Sequence, residues 1–362
     1  MRRIRVTFVV VVAALSACSP EQVTSPEGES PSVRYGKVVA SPAYSPADLG
    51  VWPGDHEAYA WAVNDAGSVA IQSNLYPSGA MTVAHWYVRT GSVSTQLDNG
   101  GIRALSGGAV THVVGFANTG ARWTYSVSGG FSAPSEMPLV DGRSGHPRAV
   151  NEAGDVTGSI SYLDGTNRGD AVIWKIDGTS FSIANPDPAL YIFGEGRDIN
   201  INGDAALTFR GVIGSPDRGY VRLAGGSMIE FFPLAGHRST YVYGVSDQIG
   251  GKIYVGGISD DDNGGYNAIR WTVDVTTREM TAEVGAAGST TAAIANDGTI
   301  AGNLNGGSTS GFVWKIGGSI TALKTPKGSG NGRTWGISGN GRYISGDAKF
   351  GTYRRAILWT AP

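Results

Sequence analysis

The 362 residues carry 28 Lys and Arg against 30 Asp and Glu, and a net charge of −2 provides no overall field to draw in nucleic acid or an anionic bilayer. A single cysteine excludes a disulfide framework. The 55 glycines, set among Val, Ile, Thr, Tyr and Trp, favour many short strands joined by tight turns, because glycine supplies the positive φ that hairpins and bulges require.

In chain order, Arg2, Arg3 and Arg5 precede an apolar run over 6–15 and a small-residue site ending at Cys18, the pattern of an export signal too short to span a bilayer. Leu15-Ser16-Ala17-Cys18 resembles the bacterial lipobox. That resemblance implies a signal peptide over 1–17, lipidation of Cys18 and, with Ser19 rather than aspartate following, anchoring at the outer membrane of the cell envelope. Residues 18–50, broken by Pro20, Pro26, Pro31, Pro42 and Pro46, read as a tether. Residues 51–362 remain for the folded part.

Two half-motifs alternate through that part. The first is a small residue, Val or Ile, often Asn or Ser, and a turn closing on glycine, as in Ala62-Val63-Asn64-Asp65-Ala66-Gly67 and Ala149-Val150-Asn151-Glu152-Ala153-Gly154. The second is an apolar strand carrying tryptophan, as in Ala171-Val172-Ile173-Trp174 and Ala356-Ile357-Leu358-Trp359. Taking Trp86, Trp123, Trp174, Leu223, Trp271, Trp314 and Trp359 as one slot, the copies are 37, 51, 49, 48, 43 and 45 residues apart. Units of this length predict an all-β, seven-bladed β-propeller of four-stranded antiparallel blades, with the indoles wedged between blades. The chain stops three residues after Trp359, so the last copy needs a strand from upstream of the first, expected within 33–40.

The turn and the Ala-x-x-Trp strand resemble the HAF-repeat proteins over 58–360, although no copy contains the His-Ala-Phe triplet itself. The resemblance implies an exported repeat protein and brings no catalytic residues with it.

Local catalytic signatures are missing. The five histidines show no metal-binding spacing, so no metal or cofactor is expected, and Asp260-Asp261-Asp262 lacks the bidentate Glu of a calcium loop and reads as a solvated turn. The comparison across copies is more informative. Two residues before the Val or Ile of the first half-motif stand Trp61, Arg103, Arg148, Arg197, Tyr243, Ala292 and Trp335. Sevenfold geometry would place them in a ring, with arginines suited to a carboxylate or phosphate and aromatic faces suited to a sugar. The preferred function is a surface-tethered monomeric binding module for an anionic glycan, a peptide carboxylate or a protein. The alternatives are a propeller-type glycan hydrolase or lyase with acids from several blades, and an architectural envelope protein. The competing expectation for the ring is that its arginines pair with nearby carboxylates and its aromatics pack between sheets.

Overall fold

A computed structural model describes residues 38–40, 44–76, 83–162, 168–261, 263–304 and 310–362. The signal segment, Cys18, most of the 18–50 stretch and Asp262 lie outside these residues. All regular structure among the described residues is β, and antiparallel four-stranded sheets recur along the chain.

The first sheet runs Glu57–Val63, Val69–Leu75, Val83–Thr90 and Val93–Leu97, each strand pairing with the next. The second begins at Gly101–Leu105 and carries two short strands, Gly130–Phe131 and Ser135–Glu136, against its third strand, Gly120–Ser126. The repeats over 145–183 and 191–231 are joined through one parallel pair, Gly169 with Phe193. Further sheets begin at Ser239–Val245 and Ser289–Ile294. The last contains Gly332–Ile337, Tyr343–Phe350 and Tyr353–Thr360, and its fourth place is filled by Ser45–Gly50.

This corrects the expected place of the upstream strand. Val38–Ala40, within 33–40, instead pairs in parallel with Ile320–Ala322, while Ser45–Gly50 from the supposed tether lies antiparallel to the last strand with Pro46 opposite Trp359. The outermost strand has one unpaired edge, where the missing N–H of proline costs no ladder bond. The Tyr44 hydroxyl anchors the segment by donating to the Gly341 carbonyl at 2.5 Å.

Strand register also corrects the tryptophan slot. Each first strand ends in Val, Ile or Leu, and the third-strand residue opposite that residue's second-strand partner is Arg89, Trp123, Trp174, Arg222, Trp271, Trp314 or Trp359, so Trp86 and Leu223 are not members. The five indoles pack on the preceding sheet: Trp123 on Val88 and Leu97, Trp174 on Val114 and Met137, Trp271 on Ile229 and Phe231, Trp314 on Ala268, Trp359 on Val313 and Leu323. Each covers about 150–250 Å² of apolar surface. The arginines reach the same way by polar means. Arg89 donates to the Leu49 carbonyl in the last sheet, and the Arg222 guanidinium lies 5.0 Å from the Phe181 ring centroid. Trp86 faces forward instead, against Gly101 of the next repeat.

The turn after each first strand ties neighbouring sheets together. Asn64 Nδ2 donates to the Ser106 carbonyl at 3.1 Å, Asn151 to Asn200 at 2.7 Å and Asn200 to Ser246 at 2.8 Å. The same asparagines accept a backbone N–H four residues on, so one side chain closes its own turn and reaches the next.

Candidate functional site

In every repeat the first strand slips by one residue against the second. At equivalent positions this leaves Trp61, Arg103, Arg148, Arg197, Tyr243, Ala292 and Trp335 without a ladder partner, and the fourth repeat slips once more at Ile192. The seven positions selected by repeat comparison are therefore seven β-bulges, and a bulge re-aims its extra side chain away from the normal alternation. Glycine on the second strand makes room for this distortion. A Cβ at Gly158 would run into the carbonyl of His146, and one at Gly346 into that of Arg333, in each case two residues before the bulged position. The residue after the bulge is small in six repeats, and a Cβ at Gly244 would meet Ile294 of the next sheet.

Two cavities meet at these bulges and share Arg197, Tyr243, Ala292 and Trp335 in their walls. One, of about 250 Å³, extends toward the turns and includes Trp61. The other, of about 510 Å³, extends toward the strand entries and includes Arg148 and Arg333. Trp61 and Trp335 are in contact, with ring centroids 4.8 Å apart. Arg103 lines neither cavity. Its guanidinium lies 5.4 Å from the Phe116 ring centroid, has no acidic partner among the described residues, and is held below the usual arginine pKa by partial burial and then by the charge of Arg148.

Charge in the larger chamber is unbalanced toward cations. Arg148 reaches one oxygen of Glu195 at 2.6 Å and Arg197 the other at 2.9 Å, with Arg210 3.9 Å from the latter. The single buried carboxylate of Glu195 thus serves three guanidinium groups, while Arg103, outside both cavities, has no acidic partner among the described residues. Across the chamber, buried Asp347 accepts from Arg333, Arg354 and the Trp335 indole. Pairing with carboxylates, the competing expectation for the ring, therefore accounts for Arg148 and Arg197 in part and for Arg103 not at all.

The turn-side chamber has the opposite sign. Asp65, Glu152, Asp198 and Asp247 line it, with Arg197 at the waist. Burial pushes the Asp198 carboxyl up to about 6, opposed by N–H groups of Val245 and Ile199 and reinforced by Asp247. Burial, then Asp247 and Asp65, also raise Glu152. No group of three His, Cys, Asp or Glu among the described residues is arranged to hold a metal ion. In the acidic loop at 260–265, the Asp261 carboxylate accepts the N–H groups of Asn263 and Gly265, each at 2.8 Å, and closes the turn.

Arg333, Glu195 and Asp347 were not anticipated from sequence. Arg333 and Glu195 each stand two residues before a bulge, on the same first strand, so the cross-repeat comparison that found the ring would also have found them.

No family profile and no characterised sequence matches the chain. Among solved structures it is similar to puromycin hydrolase, with a TM-score of 0.58 and 12% identity over 89% of this chain and 55% of that chain. The β-propeller domain of the Trilobed protease from Pyrococcus furiosus gives a TM-score of 0.53 at 12% identity, covering 84% of this chain and 94% of that one. The chain spans about half the length of the puromycin hydrolase chain. Likeness at these identities speaks to architecture, and with the strand-rich sheets it establishes a β-propeller.

Proposed function

We propose that the chain is a seven-bladed propeller closed by Ser45–Gly50, exported and tethered to the outer membrane through lipidated Cys18, and that it binds an anionic ligand in the axial chamber. The repeats are taken to be of the HAF type on their turn and Ala-x-x-Trp strand. Support for the blade count comes from the strand pairings and from Trp61 lying against Trp335, which brings the first and last repeats together. The observation that carries the binding reading is the charge imbalance: Arg148 and Arg197, both in the wall of the larger chamber, share the one carboxylate of Glu195. Unneutralised guanidinium groups in a partly desolvated cavity favour an incoming carboxylate, sulfate or phosphate.

The binding experiment is a thermal-shift titration with sodium sulfate against sodium chloride at matched ionic strength. Sulfate should raise the unfolding midpoint more than chloride, and Arg148→Ala should reduce the difference to the general salting-out effect of sulfate. Equal effects of the two salts on the unsubstituted protein would refute the reading.

A hydrolase or lyase is the second reading. It draws on Asp198 and Glu152, whose raised carboxyl pKa values suit a general acid in the turn-side chamber. An architectural role called for no axial pocket, so the two lined chambers weigh against it.

A further inference from the structure

Six of the seven bulged residues are large, and the exception is Ala292. The larger chamber follows that exception. Its wall takes Thr290, Thr291, Ala292, Asn303 and Thr334 from around the small residue and nothing from the first two repeats, so it is off-centre. On the bulge positions either side of Ala292 stand Tyr243 and Trp335, both lining the same space. Behind the gap the surface is polar and already ordered. The Asn303 carboxamide donates to the Thr334 carbonyl at 3.0 Å and accepts the Thr334 N–H at 2.8 Å, while the Thr290 hydroxyl donates to the Asn303 carbonyl at 3.3 Å. Arg148, Arg197 and Arg333 complete the lining.

Three surfaces of different chemistry therefore converge on one gap. Aromatic flanks suit the C–H face of a compact ring, and a wall of hydroxyl and amide groups suits a ring that carries hydroxyls of its own. A purely apolar body would strip water from that wall without replacing its hydrogen bonds. The guanidinium groups call for an anionic substituent.

We propose that Ala292 is a specificity-determining residue: the gap it leaves between Tyr243 and Trp335 admits the ring of a sugar acid whose carboxylate lies against Arg197 and Arg333. This rests on the larger chamber being the anion site and deepens that reading by naming the ligand class and the residue that selects it.

The test is calorimetric titration of the intact protein, and of its Ala292→Phe and Ala292→Val variants, with D-glucuronate and with inorganic sulfate. Sulfate probes the arginines alone, whereas glucuronate also needs the gap. The unsubstituted protein should bind glucuronate at least about tenfold more tightly than sulfate. Ala292→Phe should cut the ratio of the two affinities by at least about tenfold, and Ala292→Val by a smaller factor. The valine variant carries the test if the phenylalanine variant does not fold. Glucuronate binding no tighter than sulfate, or an affinity ratio unmoved by both substitutions, would overturn the proposal while leaving the anion site standing. Failure of the unsubstituted protein to bind either anion would remove the anion site, and this proposal with it.

Discussion

Arg148 crosses from its own sheet to Glu195 of the next at 2.6 Å, and that carboxylate is the buried acid on which Arg197 also depends. Glu195→Gln should leave the guanidinium groups facing one another without a counter-charge. Stability should fall by about 1–3 kcal/mol, less than for a fully buried pair because Arg148 is 42% exposed. The same variant should gain more than the unsubstituted protein from added sulfate, since an external anion replaces the lost carboxylate. Chemical denaturation with and without sulfate measures both effects.

Arg103 separates binding from stability. Lacking an acidic partner and repelled by Arg148, it should be replaceable by alanine within about 0.5 kcal/mol of the original stability, or with a slight gain. Anion affinity should fall by less than for Arg148→Ala, since Arg103 lines neither cavity. A stability loss beyond about 1 kcal/mol would mean that Arg103 is structural.

The indoles test the packing of sheet on sheet. Trp174 and Trp359 are fully buried against the preceding repeat, and truncation of either to alanine should cost about 3–5 kcal/mol. Trp86, half-buried and outside the slot, should cost less. Equal losses at Trp86 and Trp174, read from denaturant midpoints, would argue against the register-based assignment.

Asn200 performs two jobs that serine can only halve. Ser246 already closes its own turn by accepting the Tyr254 N–H, as Asn200 does for Asp204, but its side chain does not reach the next repeat's turn. Asn200→Ser should therefore keep the turn and lose the bond to the Ser246 carbonyl, at about 1 kcal/mol, whereas Asn200→Ala should lose both and cost about twice as much.

Asp198 gives the fold a pH dependence with a defined sign. Its carboxyl rises from 3.8 to about 6 on folding, chiefly by burial, so the folded chain holds this proton more tightly than the unfolded chain. The stability it contributes is complete below the unfolded value and is lost as pH rises through about 6. Asp198→Asn should abolish that contribution, which amounts to about 3 kcal/mol, while retaining an oxygen to accept the Val245 N–H. Unfolding midpoints followed between about pH 4 and pH 8 should decline more steeply for the original protein than for the variant, which keeps the contribution of Glu152.

The set of bulged residues was legible because repetition makes linear spacing report equivalent positions. Trp61 through Trp335 could be aligned without knowing that each is a bulge, since the bulge recurs at the same offset from the Val or Ile that follows it. The tryptophan slot was harder. In the first and fourth repeats an arginine holds the position, and nearby Trp86 and Leu223 offered more hydrophobic substitutes. Ser45–Gly50 gave no signal because an outer strand that is mostly exposed needs no alternation and tolerates Pro46. The pairing of Arg148 with Glu195 was hidden for a different reason: whether that cation is neutralised depends on which repeats are neighbours, whereas Glu195, two residues before Arg197 on the same strand, was in reach of a local reading.

The axial anion site is most directly tested by a crystal structure of the protein soaked in selenate, with anomalous scattering recorded at the selenium edge. The account predicts a peak bounded by the guanidinium groups of Arg148, Arg197 and Arg333, beside Ala292. Selenium signal confined to the outer surface, with those arginines turned wholly onto protein carboxylates, would contradict it.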